Sequence, residues 1–297
     1  MTDRPSPLRV WWAAIRPATL WAGAVPVIVG TALALADGHR AITAALAALA
    51  GALLIQIGCN LVNDYSDFHR GADGPDRLGP ARATAQGWLT PRQVAAGAAV
   101  SLALAALIGA YIAWIGGWPM LALGVLSILA AVAYTAGPFP LAYLGLGDLF
   151  VLGFFGFGAT GGTYYLQAGH LSAGALWAGF AVGALATAIL VVNNLRDRHG
   201  DAAVGKKTLA VRLGARAARA EYTALVAAAY LAVVAAVLTG AAGPGWLLAF
   251  ASLPSAVRAT RAIHATDGAA LNPWLGATAR LELLFGLLLA AGALTWR

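Results

Sequence analysis

Apolar residues along this chain gather in long unbroken blocks separated by short polar segments. The blocks show neither the strict alternation of a half-buried strand nor the single apolar stripe of a soluble surface helix. Nine can be marked, near 18–36, 41–62, 93–115, 118–136, 146–166, 171–192, 219–240, 244–263 and 275–296. Each is close to the ~20 residues a helix needs to cross the hydrocarbon core of a bilayer. Gly and Pro recur inside them, as a membrane helix tolerates when its neighbours satisfy the backbone. Small residues such as Gly51, Ala52, Gly97 and Ala98 would let helices approach closely. The pattern predicts an all-α polytopic membrane protein, one nine-helix bundle forming a single domain over 1–297.

Composition strengthens that reading. Of 297 residues, 60% are hydrophobic and 10% charged, against about 25% charged in an ordinary soluble domain. The start of the chain shows no signal-peptide cleavage pattern, so the first apolar run is expected to be a retained span. Cys59 is the single cysteine, which excludes an intrachain disulfide and a cysteine metal site. The net charge of +7 is read as topology and contact with anionic membrane lipid, not as nucleic-acid binding.

The basic residues set an orientation. With the N-terminus in the cytoplasm and nine crossings, 16 of 19 fall inside, from Arg4, Arg9 and Arg16 to Arg258 and Arg261. Arg40 and Arg297 fall outside, and Arg280 lies in the last span. This is the positive-inside bias of a multi-pass protein of the cell inner (plasma) membrane.

Two of the predicted cytoplasmic segments, 63–92 and 193–218, are long and polar, and they concentrate the scarce acid of an oily chain. Long loops in compact proteins tend to be functional. In the first, Asn63 is followed four residues later by Asp67, and in the second Asn193 by Asp197 and then Asp201. If the preceding helices run past the membrane, each set shares one face, with Asn60 and Asp64 on an adjoining face. The two loops resemble an internal repeat. Carboxylates crowded on one face repel unless a cation relieves them, and an all-oxygen donor set suits Mg²⁺ or Mn²⁺. Asn63, Asp64, Asp67, Asp73, Asn193, Asp197 and Asp201 are the candidate ligands. Mg²⁺ held by few protein carboxylates completes its shell with water and phosphate oxygens, so the two clusters together could grip a diphosphate. Arg77, Arg82, Arg196, Lys206 and Arg212 would add donors to the phosphates. The run from Gly200 to Lys206 imitates a phosphate-binding loop, but a membrane helix precedes it where a strand is required.

At these residues the chain resembles the UbiA superfamily of intramembrane aromatic prenyltransferases. The resemblance runs from Arg16-Pro17-Ala18-Thr19-Leu20 through both acidic loops to Leu209-Ala-Val-Arg-Leu-Gly214. It is greatest to the 1,4-dihydroxy-2-naphthoate polyprenyltransferase (MenA) branch. That likeness rests on Asn63-Asp-Tyr-x-Asp67-x-x-x-Gly71-x-Asp73, Asp76-Arg77-x-Gly79-Pro80-x-Arg82, Tyr134-Thr-Ala-Gly-Pro138 and Gly145-Leu-Gly-Asp148. Gly71 stands where the 4-hydroxybenzoate branch often has an Asp, and that branch's Tyr-x-x-x-Lys pattern is absent.

The resemblance implies that polyprenyl diphosphate and 1,4-dihydroxy-2-naphthoate are the substrates and Mg²⁺ the cofactor. It further implies prenylation of the ring carbon bearing the carboxylate, with loss of CO₂ and diphosphate, giving demethylmenaquinol. Asp148 would position or deprotonate a ring hydroxyl, or simply cap a helix end. Arg16 would meet the acceptor carboxylate, or anchor the headgroup interface. Phe154, Phe155, Phe157, Tyr164 and Tyr165 could stabilise an allylic cation, or face lipid and core. Rival readings are another aromatic acceptor (4-hydroxybenzoate or homogentisate-like) and, from a different class, a membrane transporter. A transporter would want ionisable groups at mid-membrane, where this chain has few. A CDP-alcohol phosphatidyltransferase would carry an Asp-Gly-x-x-Ala-Arg motif that is absent.

Overall fold

The computed structural model describes residues 6–74 and 77–295, so Arg4, Asp76 and Arg297 lie outside the described residues. Among these residues the chain is helical and holds no strand. A short amphipathic helix α1 (Pro7–Ile15) precedes α2 (Pro17–Ala36), α3 (Ile42–His69) and α4 (Pro91–Ala133). Then come α5 (Leu141–Leu144) and a continuous rod made of α6 (Gly147–Val151), a π-helical stretch (Leu152–Gly161) and α7 (Gly162–Ala168). The chain continues through α8 (Ala173–Ala203), α9 (Leu209–Leu238), a 3₁₀ segment (Pro244–Ser252), α10 (Leu253–Ala265), a 3₁₀ turn (Gly268–Leu271) and α11 (Asn272–Thr295). Seven of the described helical rods are long and apolar enough to cross a membrane.

One of these is the 43-residue α4, which is helical only in name at Gly117. There φ is 72° and ψ −165°, a conformation open to glycine, and Pro119 follows. The break falls between the apolar blocks 93–115 and 118–136, so the two blocks are joined without a loop. Helix α4 begins with a capping box, in which Thr90 and Gln93 satisfy each other's backbone N–H groups.

Two helices outrun their apolar blocks. Helix α3 continues to His69 and α8 to Ala203. No Gly or Pro interrupts Asn60–His69, and the helix stops just before Gly71, whose φ is +70°. Helix α8 likewise stops just before Gly205, at φ +78°. The acidic segments therefore open as helical extensions, as the four-residue spacing requires.

Helix α8 is the axis of the bundle. Ala178, Ala181, Val182, Ala184, Leu185 and Ala188 on it are fully buried. It approaches the π-helical stretch backbone to backbone: a Cβ at Gly156 would lie 2.5 Å from the Gly179 carbonyl oxygen. Small residues supply this closeness, which gains dispersion contact where no water is available to drive helices together.

The connections gather at two ends. At one end Arg70 donates to the Gly137 carbonyl (2.9 Å), the Lys207 N–H to that of Tyr143 (3.1 Å) and Asn272 to that of Leu78 (2.7 Å). At the other, the Tyr164 hydroxyl donates to Asp37 (2.6 Å), and the rings of His39 and His170 lie 5.9 Å apart. Both acidic segments belong to the first end.

Candidate active site

A cavity of about 1330 Å³ opens between α2, α3, both halves of α4, the π-helical stretch and α8. Its body is apolar, lined by residues such as Ile112, Leu121, Ile128 and Leu166. Its polar end is made by the extensions of α3 and α8 and by the loop after α3. Asn63, Asp67, Asn193, Asp197 and Asp201 all line it, together with Arg16, Arg77, Arg82, Arg196 and Lys206. The two Asn-x-x-x-Asp helix ends, far apart in sequence, thus face one space.

Every lining carboxylate there is matched by a cation. Asp67 takes Arg82 Nη2 at 3.3 Å on Oδ2 and Lys206 Nζ at 3.2 Å on Oδ1. Lys206 also lies 3.6 Å from Asp201 Oδ1, so its ammonium bridges the two acidic helix ends. Asp197 takes a forked pair from Arg196, at 2.8 and 2.5 Å. The same guanidinium donates to Asn193 (2.8 Å) and Asn272 (2.9 Å), so each of its three nitrogens has a partner. Asn63 accepts a 2.5 Å hydrogen bond from the Thr135 hydroxyl.

The remaining predicted site residues are placed elsewhere. Asp73 does not line the cavity. Its side chain is 1% exposed and pairs with Arg77 and, at 3.5 Å, with Arg82. Burial pushes the Asp73 carboxyl up to about 6, against the downward pull of Arg77. Asp64 also lies off the cavity, 1% exposed, and accepts from the Ala83 N–H (3.2 Å) and the Thr84 hydroxyl. Arg212 donates to the Leu144 carbonyl (2.9 Å) and does not reach the cavity. Asp148 sits in the first turn of α6, outside the lining; Leu146, not Asp148, is the N-cap, and Asp148 Oδ1 has no hydrogen-bond partner.

Arg16 does face the cavity, at the junction of α1 and α2. It is the one described non-glycine residue in the left-handed region, with φ 53°. Asn60 clasps this junction: its side-chain amide donates to the Ile15 carbonyl and the Thr19 hydroxyl, both at 2.9 Å, and its backbone carbonyl accepts from Arg16 Nη2 at 3.3 Å. Of the aromatic candidates, Phe154 and Phe155 line the cavity and Phe157, Tyr164 and Tyr165 do not. Gln56, Phe150 and His199 line it without any signal in the sequence, and Asn60, Tyr134 and Thr135, noted there only for a helix face or a family motif, line it too. The Gly200–Lys206 imitation of a phosphate loop is a helix end and turn, with no strand before it.

The oxygen donors suit a hard divalent cation, and the Lys206 ammonium already holds a cation's place between Asp67 and Asp201. Among the described residues no three His, Cys, Asp or Glu side chains converge on one point, because the donors are divided between the two helix ends. A site of this shape leaves much of an ion's shell to water and ligand oxygens, which is the habit of Mg²⁺.

Comparison with known proteins gives a consistent result. Residues 23–281 match the UbiA prenyltransferase family. The chain is 37% identical over 300 residues to a 1,4-dihydroxy-2-naphthoate octaprenyltransferase of Escherichia coli (strain K12), covering 98% of this chain and 97% of that one. It is 40% identical over 288 residues to the protein of the same name from Mycobacterium tuberculosis, covering 96% and 97%. Its fold is similar to a UbiA homologue from Aeropyrum pernix (TM-score 0.69, 18% identity, 92% and 96% covered). It is also similar to one from Archaeoglobus fulgidus bound to DMAPP and Mg²⁺ (TM-score 0.63, 16% identity, 95% and 99% covered). The family match spans most of the chain and the relatives are similar over nearly all of it, so the chain belongs to the UbiA prenyltransferase family.

Proposed function

We propose that this protein transfers a polyprenyl group from polyprenyl diphosphate to 1,4-dihydroxy-2-naphthoate, releasing CO₂ and diphosphate and giving demethylmenaquinol. The observation that carries the proposal is the single cavity whose polar end joins both Asn-x-x-x-Asp helix ends and whose body is apolar. A prenyl diphosphate has that same division, a multiply charged head on a long hydrocarbon. The likeness to naphthoate octaprenyltransferases over nearly the whole chain supports the choice of acceptor.

Asn63, Asp67, Asn193, Asp197 and Asp201 would hold Mg²⁺ at the cavity's polar end, with Asp73 behind them. When bound there, Mg²⁺ supplies Lewis-acid neutralisation of the charge that builds on the leaving diphosphate. Arg77, Arg82 and Lys206, which pair with carboxylates in this structure, turn to the phosphate oxygens as donors. The C1–O bond breaks, and Phe154, Phe155 and Phe150 offer ring faces to the allylic cation. The electron-rich ring carbon bearing the carboxylate forms the new C–C bond. Its bond to the carboxylate then breaks, and that electron pair restores the aromatic ring as CO₂ leaves. Arg16 holds the acceptor carboxylate before this step, on a backbone fixed by Asn60.

The same reading places the protein in the inner membrane with nine crossings, the N-terminus and the active site facing the cytoplasm. It is supported by the gathering of both acidic segments, residues 137–145 and the turn before α11 at one end of the bundle. The test is mass spectrometry of products from purified protein given one prenyl diphosphate and several aromatic acceptors. Prenylated naphthoquinol as the main product is the expected result; a prenylated 4-hydroxybenzoate would move the protein to another branch.

A further inference from the structure

Asp64 and Asp67 are three residues apart on α3, yet they reach different parts of the loop that follows. Asp67 Oδ2 takes Arg82 at 3.3 Å inside the cavity. Asp64 takes the next two residues outside it: Ala83 N–H donates to Oδ2 at 3.2 Å, and the Thr84 hydroxyl donates to Oδ1. Ala83 is 1% exposed and Thr84 4%, so this junction is sealed. Both carboxylate oxygens are thus occupied by the loop, on the side of α3 that turns away from the cavity. Arg82 is the residue immediately before the junction, and it spans Asp67 and Asp73 (3.3 and 3.5 Å).

We infer that Asp64 is a positioning residue that fastens Ala83 and Thr84 to α3 and thereby sets Arg82 over the polar end of the cavity. The inference deepens the proposed function, because it rests on Arg82 serving the prenyl diphosphate. A buried carboxylate accepting from a backbone N–H and a hydroxyl holds a loop in one register. Asp64→Asn presents one acceptor oxygen in place of two and leaves one donor of the junction unpaired. Thr84→Val opens the same junction from the other side at nearly constant volume and leaves the carboxylate intact.

The experiment compares Asp64→Asn, Thr84→Val, the double variant and Arg82→Ala in the full-length purified protein. Prenyl diphosphate KM, kcat, the Mg²⁺ concentration for half-maximal rate and hydrogen exchange across 77–90 are measured for each. Asp64→Asn and Thr84→Val should each raise KM about tenfold, with kcat and the Mg²⁺ requirement within about twofold of the parent. The double variant should be no worse than the worse single one, as expected for two ends of one contact. Exchange should quicken in 80–88 while α3 stays protected. A raised Mg²⁺ requirement in Asp64→Asn, with Thr84→Val like the parent, would make Asp64 a metal ligand and overturn the inference. Slower turnover at unchanged KM and unchanged exchange would reduce Asp64 to a fold-stabilising residue and overturn it too. Arg82→Ala tests the underlying reading separately: an unchanged KM there removes Arg82 from the diphosphate site, whatever the exchange data say of Asp64.

Discussion

Lys206 Nζ lies 3.2 Å from Asp67 Oδ1, and through this contact the extension of α8 is tied to the extension of α3. The same ammonium reaches Asp201 at 3.6 Å. Removing it leaves two acidic helix ends facing each other with less positive charge between them. Lys206→Met should therefore lower the stability of the protein in EDTA by roughly 1–3 kcal/mol, the usual cost of leaving a buried polar group short of a partner, because Asp67 keeps Arg82. Mg²⁺ should restore more stability to this variant than to the parent. Thermal unfolding in detergent with and without Mg²⁺ checks both points; an equal response in the two proteins would mean that the lysine and the ion do not share a place.

Turnover should require a divalent cation, with Mg²⁺ sufficient. The ligand set is all oxygen, and the described residues supply too few converging groups to do without the substrate's own phosphates. Rates measured after exhaustive EDTA treatment and after Mg²⁺ is added back decide the matter. Full turnover in excess EDTA would leave the acidic ends without a metal role.

Asp67→Asn and Asp197→Asn should each lower kcat by about a hundredfold or more while the protein stays folded. Both carboxylates line the same cavity from different helices, so in the proposed reaction each would hold half of one clamp. Asp197→Asn should be the more damaging to the fold, since its forked pair with Arg196 also secures Asn272 and, through it, Leu78. Kinetics alongside size-exclusion and melting profiles separate these effects. A near-parental rate in either variant would make that helix end structural.

These residues show where the sequence was readable. Asn63 with Asp67, and Asn193 with Asp197 and Asp201, could be assigned to common faces because a helix fixes i and i+4 geometry without any tertiary knowledge. The break in α4 could be placed because Gly and Pro punctuate a chain locally. Asp64 falls on a face adjoining that of Asp67, but its role could not be separated from that of a ligand, since which face of α3 meets the cavity depends on where the loop after it folds back. Arg212 was counted as a phosphate donor on charge and proximity in sequence alone, but it is spent on the Leu144 carbonyl. Helix α1 is too short to register as an apolar block, and the π-helical stretch within 152–161 has no signature in residue type. Asn60 and Asn272 fasten remote segments by hydrogen bonds, which leave no local pattern to read.

Acceptor identity has a direct chemical readout. Prenylation at the carboxylate-bearing carbon releases one CO₂ per turnover, whereas prenylation of 4-hydroxybenzoate releases none. Naphthoate labelled in its carboxylate should lose label in step with diphosphate release. Retained label in a prenylated product would contradict the proposed carbon of attack, while the diphosphate clamp would be untouched by that result.

Arg16 combines an unfavoured backbone with a charged side chain turned to the cavity. A left-handed conformation costs a side-chain-bearing residue about 1–2 kcal/mol, and glycine escapes that cost. The two properties of this position therefore oppose each other under selection. A screen that rewards heat resistance alone should enrich Arg16→Gly, and a screen that rewards quinone production should purge it. The α1–α2 junction is where directed evolution of this enzyme would meet a direct conflict between durability and output.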